Sequence, residues 1–368
     1  MSIRHLSRMM QPASLALVAG ESGPSHLGSV VARNLLDGGF KGKLYTVGTL
    51  WGRIEGANVA PSVLGIPTPP DLAIVVSDPE FLVELISDLG RLGCKVAVVL
   101  TGRSAGVGDP RFSSLHRAVR EAARPHGLRL LGMNSLGIMV PGASLNASVV
   151  HLQPLEGKLA LVAHSGAVTS AILDWATSRN IGFSALLALG TMIDVDFGDA
   201  LDLLSADMRT QAILLCSEGI TGVRKFMSAA RQAARMKPVI VLKSARFPEC
   251  VRDSASQRAR ELGLDEVYDA AFRRAGLLRV SDIQELFDAA ETLARVRAVP
   301  GTRLGILSNG GGIGILAADR LRGGGGQLPG LSAKTVERLL SLLPAWCPIN
   351  MPLDIQIDAP GELYADAL

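Results

Sequence analysis

Residues 158–180 read "KLALVAHSGAVTSAILDWATSRN". Six residues with a strongly apolar core, Lys158 to Ala163, run into a turn of small residues. An apolar segment long enough for more than three helical turns follows. An apolar run of this length predicts a strand buried on both faces, and the segment after the turn predicts a helix packed across it. The unit recurs at residues 303–321, "RLGILSNGGGIGILAADRL", which again passes from a basic residue through a strand and a small-residue turn into a helix. Between the two copies lie "FSALLALG", "ALDLLSAD", "QAILLCSE", "VRKFMSAARQAARMK" and "PVIVLK". Upstream, "SLALVAG", "KLYTVG", "LAIVVS", "VAVVL" and "LRLLG" alternate with amphipathic stretches such as "EFLVELISDLGRLG". This βαβ rhythm predicts an α/β protein of doubly wound parallel sheets. It restarts near residue 150 and again near 298, so three domains are expected, at 1–150, 151–297 and 298–368. The third holds too few residues to complete a doubly wound domain.

Composition narrows the function classes. An apolar content of 48% excludes general disorder. A net charge of +3 from scattered basic residues gives no electrostatic footprint for nucleic acid. The four cysteines, Cys94, Cys216, Cys250 and Cys347, show neither CxxC spacing nor a nearby histidine. They are expected to be buried small residues, with no metal site. No window approaches the roughly 18 continuous apolar residues of a membrane span, and the first apolar run leads into a Gly-rich turn, so the expectation is a soluble cytoplasmic protein.

Five places are candidates for chemistry. "GESGPSHLG", Gly20 to Gly28, follows the first strand and opens a helix. Its glycines permit close backbone approach to a phosphate, although the spacing is not GxGxxG. Gly20, Ser22 and Gly28 are the candidates there. "GMNSLG", residues 132–137, puts Asn134 and Ser135 directly after a strand, where side chains can reach a crevice or simply stabilise a turn. "HSGAV", residues 164–168, places Ser165, Gly166 and Ala167 at a helix start suited to an anion. It is not a GxSxG elbow, and no second histidine or carboxylate adjoins His164 in sequence. Glu218 ends an apolar run and reads equally as a helix cap or a site residue. Finally, "KSARFPECVRDSASQRARELG", residues 243–263, is a polar stretch of a length that is usually functional or disordered.

Together, "LRLLGMNSLGIMVP", "LNASVV", the long run from Gly157 to Leu204, "KPVIVLKSAR" and "VYDAAFRRAGLLRVSDIQELFDAAETLA" resemble the NDP-forming acyl-CoA synthetases, relatives of the succinyl-CoA ligase α subunit. The resemblance implies a CoA-binding Rossmann-like domain, then flavodoxin-like domains of which the last is incomplete here. In full ligases it also implies an ATP-grasp region that brings nucleotide and Mg. In that family a histidine carries the phosphoryl group. Laid against this chain, its position falls on Gln257, whose amide cannot form the phosphoramidate, while the glutamate partner is kept as Glu218. Loss of that histidine resembles the ligase-like region of Pat-type protein lysine acetyltransferases, which carry a GNAT domain. The leading expectation is therefore an inert region that senses CoA or acetyl-CoA for such an acetyltransferase, with ATP-grasp and GNAT regions elsewhere and a homo-oligomer compatible with it. The alternative is the α-type part of a working acetate–CoA ligase, in which His164, standing where the family usually has Gln, substitutes as phosphoacceptor.

Overall fold

The computed structural model describes residues 5–19, 26–48, 56–100, 110–246, 265–296 and 301–368. Residue contacts divide the chain into two units, Met1–Val296 and Arg297–Leu368.

The larger unit holds two sheets. Six strands form the first: β1 (Ser14–Ala19), β2 (Lys43–Val47), β3 (Asn58–Ala60), β4 (Leu72–Val76), β5 (Val96–Val99) and β6 (Arg129–Leu131). All pairs in it are parallel, and the order is β3-β2-β1-β4-β5-β6. Leu15 to Val18 and Leu72 to Val75 are wholly buried. Strands buried on both faces can only be apolar, which is why these segments read as continuous runs without alternation. Among the described residues three helices cover the sheet: α1 (His26–Asp37), α2 (Leu82–Leu92) and α3 (Pro110–Ala123). Gly93 ends α2 with φ 98°, the left-handed conformation that a C-terminal cap needs and that glycine adopts without a Cβ clash.

The second sheet contains β7 (Gly137–Val140), β8 (Leu145–Ser148), β9 (Glu156–Ala163), β10 (Phe183–Ala188), β11 (Ala212–Ser217), β12 (Val239–Lys243) and β13 (Leu278–Val280), in the order β13-β12-β11-β9-β10-β7-β8. The five strands from β9 to β13 are parallel, whereas the β7–β8 hairpin joins antiparallel, with Met139 opposite Leu186. Residues 137–148, grouped by the sequence rhythm with the first domain, thus pair in the second sheet. Around it stand α4 (Gly166–Ser178), α5 (Phe197–Ala206), α6 (Val223–Met236), α7 (Asp265–Ala275) and α8 (Ile283–Arg295).

Backbone bonds weld the two sheets. Thr191, Ile193 and Val195 donate their amides to the carbonyls of Met133, Gly132 and Leu130 at 2.8, 3.0 and 3.0 Å. One apolar cluster runs through both sheets, from Leu17 and Ile74 by way of Ile138 to Val162 and Leu215. Beside the weld, Arg129 bonds Asp194 at 2.8 Å and Asp199 at 3.3 Å, and Lys225 bonds Asp196 and Asp199 at 2.7 and 2.9 Å. Asp196 also caps α5 through a reciprocal box with Asp199.

The smaller unit has two parallel strands, β14 (Leu307–Ser308) and β15 (Leu353–Asp354), with α9 (Gly311–Gly323), α10 (Ala333–Leu342) and α11 (Gly361–Ala367). Leu339, Leu343, Cys347, Leu353 and Ile355 make its core. Its β14–α9 unit repeats the β9–α4 arrangement, as the sequence comparison of the two stretches expects.

Candidate functional site

Both sheets are of the kind whose strand order reverses once. The first reverses between β1 and β4, the second between β9 and β11. Ligands of open α/β sheets bind outside the carboxyl ends of the strands at such a reversal, because the crossover helices on its two sides leave to opposite faces and open a crevice.

At the first reversal, β1 ends at Ala19 and α1 starts at His26, with Gly28 in its first turn. Gly20 and Ser22 lie outside the described residues. Ser77, buried at the end of β4, stands on the other side of the crevice.

At the second reversal, His164 follows β9 and Glu218 follows β11. The strands are hydrogen-bonded neighbours, with Ala163 opposite Cys216, and the His164 amide donates to the Cys216 carbonyl at 3.0 Å. His164 Nδ1 consequently lies 3.0 Å from Glu218 Oε2, with the two side chains 12% and 28% exposed. The sequence offered these residues separately, and only strand order joins them.

Ser165 is the N-cap of α4, with extended backbone, and its side chain makes no capping bond. The next residues, Gly166 and Ala167, open the helix at the crevice with Ala167 exposed. A helix start of this kind presents backbone N–H groups and the positive end of the helix dipole. A side chain on Gly166 would run into Leu136, so the turns at 132–137 and 164–167 are in contact. In the first of them Asn134 is exposed and takes φ 53°. The expectation that Ser135 faces the crevice is corrected. It is 6% exposed, its hydroxyl donates to the Ala188 carbonyl and accepts from the Gly137 amide at 2.9 Å, and it serves as a bracket inside the turn.

The polar stretch leaves β12 through Lys243, which is 2% exposed. Its ammonium bonds the Ser244 and Ala245 carbonyls at 2.9 and 3.3 Å and lies 4.5 Å from the centre of the Tyr268 ring. Burial pushes this lysine below its ordinary pKa, while the Asp265 charge pulls the other way. Ala245 takes φ 55°, a left-handed conformation natural to glycine. Arg246 and Asp265 close the stretch, 3.4 Å apart, and Arg279 grips Asp265 through both carboxylate oxygens at 2.6 and 2.7 Å. Burial disfavours the Asp265 charge, but the Arg279 bonds and the two guanidinium charges outweigh it and hold the carboxyl below its usual pKa. Gln257 and Cys250 lie outside the described residues.

Cys94, Cys216 and Cys347 are buried and unbridged. Burial pushes the Cys94 and Cys216 thiols up to about 11 and about 12, which leaves them protonated and unreactive at neutral pH. Among the described residues no three His, Cys, Asp or Glu side chains gather as a metal site, and no helix is long and apolar enough to cross a membrane.

Comparison with known proteins agrees with this architecture. Residues 14–141 match a family model described as a CoA binding domain, and residues 156–293 match one described as a succinyl-CoA ligase like flavodoxin domain. The chain is 32% identical over 367 residues to the acetate–CoA ligase [ADP-forming] I subunit alpha of Pyrococcus furiosus, covering 99% of this chain and 79% of that one. It is 33% identical over 365 residues to the acetate–CoA ligase [ADP-forming] I of Archaeoglobus fulgidus, of which it spans about half, 52%. Among solved structures, the dinucleotide forming acetyl-coenzyme A synthetase 1 of Ca. Korarchaeum cryptofilum, in complex with phosphate and ADP, superposes with a TM-score of 0.90 at 30% identity. That match covers 98% of this chain and 78% of the other.

Proposed function

The chain belongs to the family of ADP-forming acyl-CoA ligases, and we propose that it is the CoA-binding, α-type part of such a ligase. It would act with an ATP-grasp region that brings nucleotide and Mg. The observation that carries this reading is identity of 32% sustained over 99% of the chain with a ligase α subunit. The alternative expectation from the sequence is thus the better supported one. For the acetyltransferase regulator, which rested on Gln257, neither the relatives nor the described residues offer support, and a GNAT partner is not part of the proposal.

In this reading residues 1–150 bind CoA, residues 151–297 carry the acyl and phosphoryl chemistry, and residues 298–368 begin a further domain. The first sheet fits CoA, since α1 starts beside the reversal between β1 and β4 and can receive a phosphate at its N-terminus. Gly20, Ser22 and Gly28 would let the backbone approach that phosphate, and exposed Asn134 would meet the thiol end. Bound CoA supplies the thiol that accepts the acyl group. The chain's own contribution is to hold CoA at one reversal and an anion at the other, on the Ser165, Gly166 and Ala167 amides. Isothermal calorimetry with CoA tests the assignment. Binding that is weakened by Gly28→Val supports it, and a chain that takes up no CoA refutes it.

A further inference from the structure

We propose that His164 is the residue on this chain that accepts a phosphoryl group, a step that rests on the ligase reading above. Three observations converge on it. His164 stands at the strand-order reversal of the second sheet, where α/β crevices hold their ligands. Its Nδ1 is 3.0 Å from the Glu218 carboxylate, close enough for that charge to balance a positive charge on the ring when Nε2 is the attacking nitrogen. It also immediately precedes the N-cap of α4, whose amides and dipole favour an anion. A histidine, a carboxylate and an anion seat are the elements a phosphoryl acceptor requires.

The donor is an acyl phosphate. The Nε2 lone pair attacks phosphorus, the N–P bond forms, and the P–O bond to the acyl group breaks, releasing the carboxylate anion. The ring becomes an N-phosphorylated imidazolium that keeps its Nδ1 proton, and Glu218 balances the new positive charge. No oxidant and no further proton are needed. The backbone of His164 is held by the Cys216 carbonyl, and that of the following turn by the contact of Gly166 with Leu136. The acceptor therefore stays at the sheet edge, and the phosphoryl donor comes to it.

The test is to incubate the full chain with acetyl phosphate and locate phosphate residue by residue by mass spectrometry in alkaline solution. His164 should gain an acid-labile, base-stable phosphate at least about tenfold faster than the chain's other histidines. Glu218→Gln should slow that gain by about tenfold or more. His164→Gln should abolish it, while both variants keep the rise in melting temperature that CoA gives. Equal labelling of all histidines, or a chain that binds CoA and carries no phosphate on His164, would overturn the proposal and leave the ligase reading standing. A chain that neither binds CoA nor takes up phosphate would overturn both.

Discussion

Leu136 occupies the space that a side chain at Gly166 would need, so the turn after β6 and the turn after β9 are docked through a single missing Cβ. Gly166→Ala forces one of them to move. Overpacking of this kind costs about 1–3 kcal/mol. Urea unfolding should show a loss of that size, and an unchanged midpoint would mean that the two turns do not meet as described.

Ala245 holds φ 55° without being glycine. Left-handed backbone costs an ordinary residue about 1–2 kcal/mol, and the greater freedom of glycine in the unfolded chain takes back about 0.4–1 kcal/mol. Ala245→Gly should therefore stabilise the protein by up to about 1 kcal/mol, read as a higher melting temperature. A loss of stability would contradict that conformation.

The Arg129 network lies beside the backbone weld between the sheets. Asp199 is 1% exposed, and Arg129 and Lys225 both neutralise it. Removing one partner of a buried pair leaves uncompensated charge, at a cost of about 3–5 kcal/mol. Because Lys225 stays 2.9 Å from Asp199 and keeps its charge compensated, Arg129→Met should cost less than that, about 1–3 kcal/mol, in chemical denaturation. A neutral result would mean that the network adds nothing to the joining of the sheets.

Asp265 makes stability depend on acid. Its folded pKa is depressed, so the stabilisation it gives is complete above the unfolded carboxylate value, near about pH 4, and is lost as pH falls through the lower folded value. Wild type should exceed Asp265→Asn in melting temperature at neutral pH, and the difference should shrink below about pH 4. A constant difference across that range would show that the Arg279 pair is not what stabilises the charge.

Much of this architecture is legible in the residues, and the exceptions have physical causes. Strands β1, β4 and β11, and β9 from Leu159 onward, announce themselves because both faces are buried and the residues are apolar or small. β3 and β13 escape because they are three-residue edge strands, with Asn58, Val59 and Leu278 exposed, and carry no apolar run. The β7–β8 hairpin follows the first domain in the chain but pairs with β10, a choice made by tertiary contact and not by local pattern. At the site, the small-residue turns are visible in sequence because backbone approach needs glycine. The pairing of His164 with Glu218 is not visible. It depends on β9 and β11 being neighbours across a reversal of strand order, which no local signal records. Ser135 misleads for a related reason, since a serine after a strand reads alike whether its hydroxyl faces a crevice or, as here, closes a buried turn.

The most direct test of the account is reconstitution. The chain should be mixed with the ATP-grasp subunit of an ADP-forming acetate–CoA ligase, together with acetate, CoA, ATP and Mg, and acetyl-CoA and ADP followed over time. The account predicts that acetyl-CoA and ADP form in equal amounts only when both proteins are present, and that His164→Gln stops their formation. CoA binding without any acetyl-CoA, across ATP-grasp partners, would contradict it and return the chain to the role of a ligand sensor.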